Sequence, residues 1–259
     1  MPVALACSPI ALSSVTVSIV SHRQWHLVRP LLHQLQEHCS AEIAKVVLTI
    51  NVPEQVTLDT SNFQFPIVCV HNPRPQGFGS NHNQAFRHCA TPWFLVLNPD
   101  IRLHNCPIGP LLSKATADTG LLSPSVVEPG AAAPQPHRRL ITPWELLSRR
   151  LGGHRPPTRP DWVPGMFMLV RQQAYAELGG FDERFFMYCE DHDFCLRLQL
   201  ADWKMQAEDD VVVLHEAQRL SHSSLRALRW HLASLAKTWI SLAFWRFITR
   251  PHTHTRKPS

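Results

Sequence analysis

The sequence predicts an α/β protein: a mainly parallel, mixed sheet flanked by helices, followed by an amphipathic helical extension at the C-terminus. Three observations carry this. Short β-branched runs alternate with helical patterns over about the first 100 residues, as in strands joined by crossover helices. The chain has 259 residues, 44% of them hydrophobic, enough to bury a sizeable core. The charge is also divided. Eight of the basic residues and no acid lie between Ala217 and Ser259, so a net +5 overall leaves the first 216 residues at −3.

Residues 1–13 read as a disordered leader. Val15 to Ser21 (VTVSIVS) alternates apolar and small polar residues and predicts a strand. Gln24 to Cys39 carries Leu27, Leu31, Leu32 and Leu35 at helical spacing. Ile43 to Ile50 and Pro66 to Val70 are the next two strands, the second ending in the turn-forming His71-Asn72-Pro73-Arg74-Pro75. Asn81 to Cys89 reads as a helix, and Trp93 to Leu97 as a buried strand stopped by Asn98-Pro99-Asp100. Between Pro124 and Pro164 lie nine of the 22 prolines and six arginines, which predicts an irregular connection with one short helix over 144–151. A strand over 165–170, helices over 173–178 and 191–200, and a strand over 211–214 complete the body. From Leu225, apolar residues recur at Leu228, Leu232, Leu235, Trp239 and Leu242 on a segment rich in Arg and Lys.

Several classes are excluded. No stretch of 18 uncharged apolar residues exists to span a bilayer. The seven cysteines are scattered without a C-x-x-C pair, which argues against a disulfide framework or zinc knuckle and suits a reducing cytoplasm. No Lys or Arg precedes Arg23, so the charged start of a secretory signal is missing and a cytoplasmic location is expected. Nucleic-acid binding is not expected, because no recognised module accompanies the basic tail.

In sheets of this kind ligands sit at the carboxyl ends of the strands. That rule singles out Ser21-His22, Asn51, His71-Asn72 and Asn98-Pro99-Asp100. Asn98-Pro99-Asp100 is by itself a turn, and His215, ending Val211-Val212-Val213-Leu214, is by itself an ordinary surface or core histidine. Together, Asp100 and His215 could form a mixed oxygen and nitrogen site for Mn²⁺ or Mg²⁺. Glu190, Asp191 and Asp193 open a helix beside Gly179-Gly180-Phe181-Asp182, more acids than capping requires. A carboxylate at that terminus is expected to stay ionised, which suits a general base.

Two stretches resemble the nucleotide-sugar half of glycosyltransferase family 2: Asn72-Pro73-Arg74-Pro75-Gln76-Gly77-Phe78-Gly79-Ser80-Asn81-His82-Asn83 and Phe94 to Asp100. Gly165-Met166-Phe167-Met168-Leu169 and the run from Gly179 to Asp193 resemble its acceptor half, in a pattern similar to rhamnosyltransferase-like members. The resemblance implies a Rossmann-like GT-A domain over 14–222, divided into 14–103 for the nucleotide-sugar and 104–222 for the acceptor. It implies an inverting enzyme that moves a sugar such as rhamnose from a dTDP- or UDP-linked donor to a saccharide or lipid-linked acceptor of a cell-surface polysaccharide. On that pattern Asp191 is the base, paired with Glu190, and Asp100 holds the metal and the diphosphate with His215 as second ligand. Ser21, Asn51, His82 and Asn98 fall on the nucleotide-sugar side, where Gly77 and Gly79 would let backbone approach the ligand. Trp162, Gly165 and Asp193 fall on the acceptor side, with Glu190 and Asp193 supporting the acceptor or the helix. Asn98 replaces the first acid of the family's D-x-D motif, and Asn51 stands where relatives often carry an Asp-Asn pair.

The basic segment 223–259, and within it 223–248, is expected to lie on an anionic membrane surface, at the inner face of the cytoplasmic membrane. The alternative is a helix packed on the catalytic domain or on a partner subunit, which leaves an oligomer open. Two other functional classes stay in view: a catalytically silent nucleotide-sugar binder and a sugar-nucleotide hydrolase.

Overall fold

A computed structural model describes residues 13–152, 155–216 and 225–250. The predicted leader, apart from Ser13, lies outside the described residues, as do 217–224 and the end of the tail. Ser13 itself is tied down, its N–H donating to the Ala41 carbonyl at 2.7 Å.

The chain builds one eight-stranded sheet in the order β3-β2-β1-β4-β7-β6-β8-β5. Strands β1 (Val15–His22), β2 (Ile43–Val52), β3 (Ile67–His71) and β4 (Trp93–Leu97) are mutually parallel. Beyond β4 the sheet becomes mixed. β7 (Phe167–Arg171) runs antiparallel to both β4 and β6 (Thr119–Val127), and β6 pairs parallel with β8 (Lys204–His215). The two-residue β5 (Ile101–Arg102) closes the edge against the end of β8, with Ile101 opposite His215.

Alternation along the strands sorts the core into two layers. Val17, Ile19, Leu95 and Leu97 face α1 (Trp25–Cys39) and α3 (Ile108–Ser113). Phe94, Val96, Met168 and Val170 face the opposite layer, made by α2 (Phe78–Phe86), α5 (Gln172–Glu177) and α6 (Glu190–Leu200). Both faces of β4 are therefore buried, as its continuous apolar run requires.

The proline-rich stretch is more ordered than its composition predicts. Pro124 sits inside β6, where pairing with β7 is confined to Leu121 and Leu122 and the β8 ladder shifts register between Pro124 and Ser125. The missing proline N–H falls at an irregularity, so no ladder bond is lost from a regular run. The helix expected over 144–151 is α4 (Pro143–Arg150), capped by the Thr142 hydroxyl, which accepts the Glu145 N–H.

The tail forms two helices, α7 (Leu225–Ile240) and α8 (Leu242–Thr249), broken at Ser241, whose hydroxyl caps α8 through the Phe244 N–H. Its apolar stripe divides. Leu235 and Phe244 are buried, while Leu228, Leu232 and Leu242 are more than half exposed. Ser234 donates to the Met187 carbonyl and Trp239 Nε1 to the Ile141 carbonyl, so the tail docks on the catalytic body through one face only. Among the described residues no helix is long and apolar enough to cross a membrane.

Candidate active site

Asp100 follows β4 directly, and the pairing of β5 with β8 brings His215 to it, Nε2 to Oδ2 at 3.2 Å. The loop is rigid: Arg102 donates to the Pro99 carbonyl and pairs with Glu216 at 2.8 Å. Asp100 Oδ1 and His215 Nδ1 are both buried and find no hydrogen-bond partner. A buried orphan carboxylate oxygen beside an imidazole is the chemistry a borderline-hard divalent cation takes. Among the described residues no group of three or more His, Cys, Asp or Glu side chains gathers around a point. The pair therefore fits an ion that takes its remaining ligands from a diphosphate and water. Asn98, half-buried, contributes backbone only in the bonds seen, its N–H donating to the Met166 carbonyl at 2.9 Å.

The acidic helix start lies close by. The chain enters α6 through two consecutive left-handed residues, Tyr188 (φ 71°) and Cys189 (φ 64°), a conformation that L side chains adopt at a cost. This entry buries Glu190, whose Oε2 has no partner, and half-buries Asp191. Asp191 Oδ2 accepts the Gly165 N–H at 2.9 Å and its Oδ1 the His192 N–H at 2.8 Å. Consecutive residues thus join the two halves of the site: Gly165 holds Asp191 and Met166 holds Asn98.

Burial dominates the protonation of the acids. Burial and the adjacent Asp191 charge push Glu190 up to about 8. Asp191 is also raised by burial, opposed by the Gly165 and His192 N–H groups and by the Arg138 cation. Burial thus works against the helix terminus at both acids, and of the two Asp191 has the N–H donors that favour its charged form.

The other predicted site residues are placed as follows. Trp162 is buried, donates to the Arg139 carbonyl, and packs edge-on against His192 at 5.6 Å with the Arg138 guanidinium 5.7 Å from its ring. Gly165 is required by packing, since a Cβ there would meet Phe78 Cζ at 2.9 Å. Asp193 supports the helix and not an acceptor: it is buried and paired with Arg197 at 2.7 Å, which also donates to the Leu178 and Gly180 carbonyls. Ser21 donates to Glu54 and accepts the Gln24 N–H, so its hydroxyl is spent on the start of α1.

The residues expected on the nucleotide side also make contacts within the protein. Asn51 does not present a free amide edge; it donates to the Gln76 carbonyl and accepts the Gln76 N–H, holding the 72–77 loop. Gly77 and Gly79 bring backbone near protein, since a Cβ would strike the Phe186 carbonyl at 2.7 Å and Phe181 Cβ at 2.6 Å respectively. His82 is buried between Phe78 and Phe181, hydrogen-bonded to Ser18 at 2.8 Å and kept neutral by burial, its pKa lowered to about 3.

A set of asparagines, Asn72 just after β3 with Asn81 and Asn83 of α2, organises both sides. Asn72 donates to Asn51 at 2.9 Å and Asn81 at 2.6 Å. Asn83 accepts from Tyr175 and the Phe181 N–H and donates to the Phe181 carbonyl and Glu183. For Asn81 and Asn83 the signal in the sequence is membership of the Asn72–Asn83 run, to which Asn72 adds its place at a strand end.

Comparison with known proteins gives a consistent picture. The model of the family described as "Glycosyl transferase family 2" matches residues 16–179. The rhamnosyltransferase WbbL of Escherichia coli is 44% identical over 75 residues, 29% of this chain and 28% of that protein. An N-acetylglucosaminyl-diphospho-decaprenol L-rhamnosyltransferase of Mycobacterium tuberculosis is 33% identical over 174 residues, 58% of this chain and 55% of that one. The chain thus spans about half the length of this second relative and less of the first. Among solved structures, the mannosyltransferase PcManGT of Pyrobaculum calidifontis, in complex with GDP-Man and Mn²⁺, superposes with a TM-score of 0.63 at 15% identity, covering 93% of this chain and 68% of that one. TarS of S. aureus in complex with UDP gives 0.61 at 14% identity, with 92% and 71% covered. At these identities the likeness concerns the fold, which is mixed α/β and similar to GT-A glycosyltransferases.

Proposed function

The chain belongs to glycosyl transferase family 2, and from that premise we propose that it transfers a hexose with inversion from a nucleoside-diphosphate donor to a hydroxyl of a saccharide or lipid-linked acceptor. The rhamnosyltransferase relatives favour rhamnose as the sugar, and the decaprenol named for one of them favours a lipid-linked acceptor; a dTDP- or UDP-linked donor is what the sequence resemblance implies. The observation that carries the reading is the Gly165-Met166 link, which ties the buried Glu190-Asp191 pair to the Asn98-Pro99-Asp100 turn.

In this reading Asp191 accepts the proton of the acceptor hydroxyl. The hydroxyl oxygen bonds to the anomeric carbon from the face opposite the diphosphate, the carbon–oxygen bond to the diphosphate breaks, and its electron pair leaves with the nucleoside diphosphate. Glu190, neutral, keeps a second negative charge away from Asp191. Asp100 and His215 would hold a Mn²⁺ or Mg²⁺ ion with the diphosphate. Such an ion supplies charge neutralisation on the leaving group. The acid-free tail supports a peripheral position at an anionic membrane, on the side where a lipid-linked acceptor is presented.

The test is incubation of the purified chain with dTDP-rhamnose or UDP-sugars, Mn²⁺ and a lipid-linked saccharide, followed by mass spectrometry of the products. An acceptor enlarged by one hexose is expected. Free sugar and nucleoside diphosphate alone would make the protein a hydrolase. Tight nucleotide binding with no product of either kind would make it a silent binder.

A further inference from the structure

The most exposed large apolar side chains among the described residues lie on three helices that meet at one joint. Trp144 and Leu151 of the α4 segment are 73% and 72% exposed, Ile240 ending α7 is 80%, and Leu242 and Trp245 of α8 are 63% and 55%. We propose that α4, α7 and α8 together form a docking surface for an anionic lipid bilayer, with α4 an indispensable part. The proposal rests on, and extends, the peripheral reading of the tail given above.

Helical spacing gives α4 its outward stripe. Trp144, Leu147 and Leu151 project from one side, while Glu145 is buried and Leu146 packs into the cluster that holds Leu235 and Trp239. Trp239 Nε1 donates to the Ile141 carbonyl, immediately before α4, and Trp245 Nε1 donates to the Trp239 carbonyl. The three outward stripes therefore flank a single packed joint.

Charge identifies the occupant. Residues 129–160 contain six arginines and one acid, Glu145, which is buried against Arg149 at 2.8 Å. The tail from Ala217 onward has eight basic residues and no acid. An open groove of about 550 Å³ between α4 and the segments on either side of it places Arg139 and Arg155 beside Trp144. Exposed apolar side chains beside Arg139, Arg155 and Arg246, with the exposed Asp202 neutralised by Arg250, complement the interface of an anionic bilayer. A second copy docked face to face would instead set two basic, acid-free surfaces against each other.

The experiment is flotation of the full chain with phosphatidylglycerol–phosphatidylcholine vesicles and with phosphatidylcholine alone. Wild type is expected to float with the anionic vesicles and not with the neutral ones. The combined variant Trp144→Ser, Leu147→Ser, Leu151→Ser, and separately Leu242→Ser with Ile248→Ser, should each bind about tenfold less, with melting temperature and nucleotide binding unchanged. Should either set unfold, Arg150→Gln with Arg155→Gln keeps the test, since it should release the protein at lower salt than wild type. If the α4 variants float like wild type while the α8 variant does not, the role of α4 is overturned and the tail reading survives. If wild type fails to float, both fall. A wild-type dimer that the α4 variant converts to monomer would assign the surface to a second copy and overturn the proposal.

Discussion

Asn81 and Asn83, two residues apart on α2, hold loops from opposite halves of the site. Asn81 Oδ1 accepts the Asn72 amide at 2.6 Å and its Nδ2 donates to the Gly77 carbonyl, fixing the 72–77 loop. Asn83 Oδ1 accepts the Phe181 N–H at 2.9 Å and the Tyr175 hydroxyl at 2.7 Å, fixing the turn that leads toward α6. Positions i and i+2 point to different sides of a helix, so one short helix couples the 72–77 loop to the turn that leads into the acidic start of α6.

Asn81→Ala and Asn83→Ala should therefore separate. Each leaves buried polar groups unpaired, at a cost of about 1–3 kcal/mol. Asn81→Ala should weaken nucleotide binding more than it slows transfer from bound donor. Asn83→Ala should do the reverse. Titration calorimetry for the first and single-turnover product formation for the second check this, and identical effects of the two variants would argue against the division.

Asp191→Asn keeps the shape of the side chain and one of its two accepted N–H bonds, but its NH2 cannot accept the other and it cannot take a proton. Donor binding should stay within about twofold, and transfer should drop by about 10²–10⁴. Wild-type turnover in this variant would sink the assignment of the base.

Much of this was legible in the sequence, for physical reasons that differ by element. The strands around β4 were readable because burial on both faces demands an uninterrupted apolar run, and Asp191 because three acids in four residues exceed what a helix start needs. The strand through Pro124 was not readable, since a proline tolerated at a register shift looks locally like any loop proline. The protein contacts of Gly77 and Gly79 were not readable because close approach has no direction in a sequence; here it includes Phe186 and Phe181. The bonds of Asn51 to Gln76 were hidden in the same way, since only the folded loop supplies that partner.

Asp100→Ala and His215→Ala test the cation. If the two residues hold Mn²⁺ with the diphosphate, wild type should bind UDP or dTDP more tightly with Mn²⁺ than without. His215→Ala should lose about tenfold of that metal-dependent gain, and Asp100→Ala nearly all of it. Binding without Mn²⁺ should barely change. An equal Mn²⁺ response in wild type and both variants would place the ion elsewhere.

Glu190 links the site to stability. In the folded chain it keeps its proton up to about pH 8, whereas a free glutamate releases it near 4.5. Between those values the folded state binds more protons than the unfolded state, so stability falls as pH rises through the window. Glu190→Gln cannot ionise and should flatten the fall, melting about 5–10 °C above wild type at pH 8 and close to it at pH 5, which corresponds to a few kcal/mol. Asp191→Asn removes the charge that helps raise Glu190, so it should narrow the window and move the fall to lower pH. Melting curves of the three proteins from pH 5 to 9 check this. Parallel curves for wild type and Glu190→Gln would mean that Glu190 is solvated, and that it does not hold its proton beside Asp191 in the folded chain.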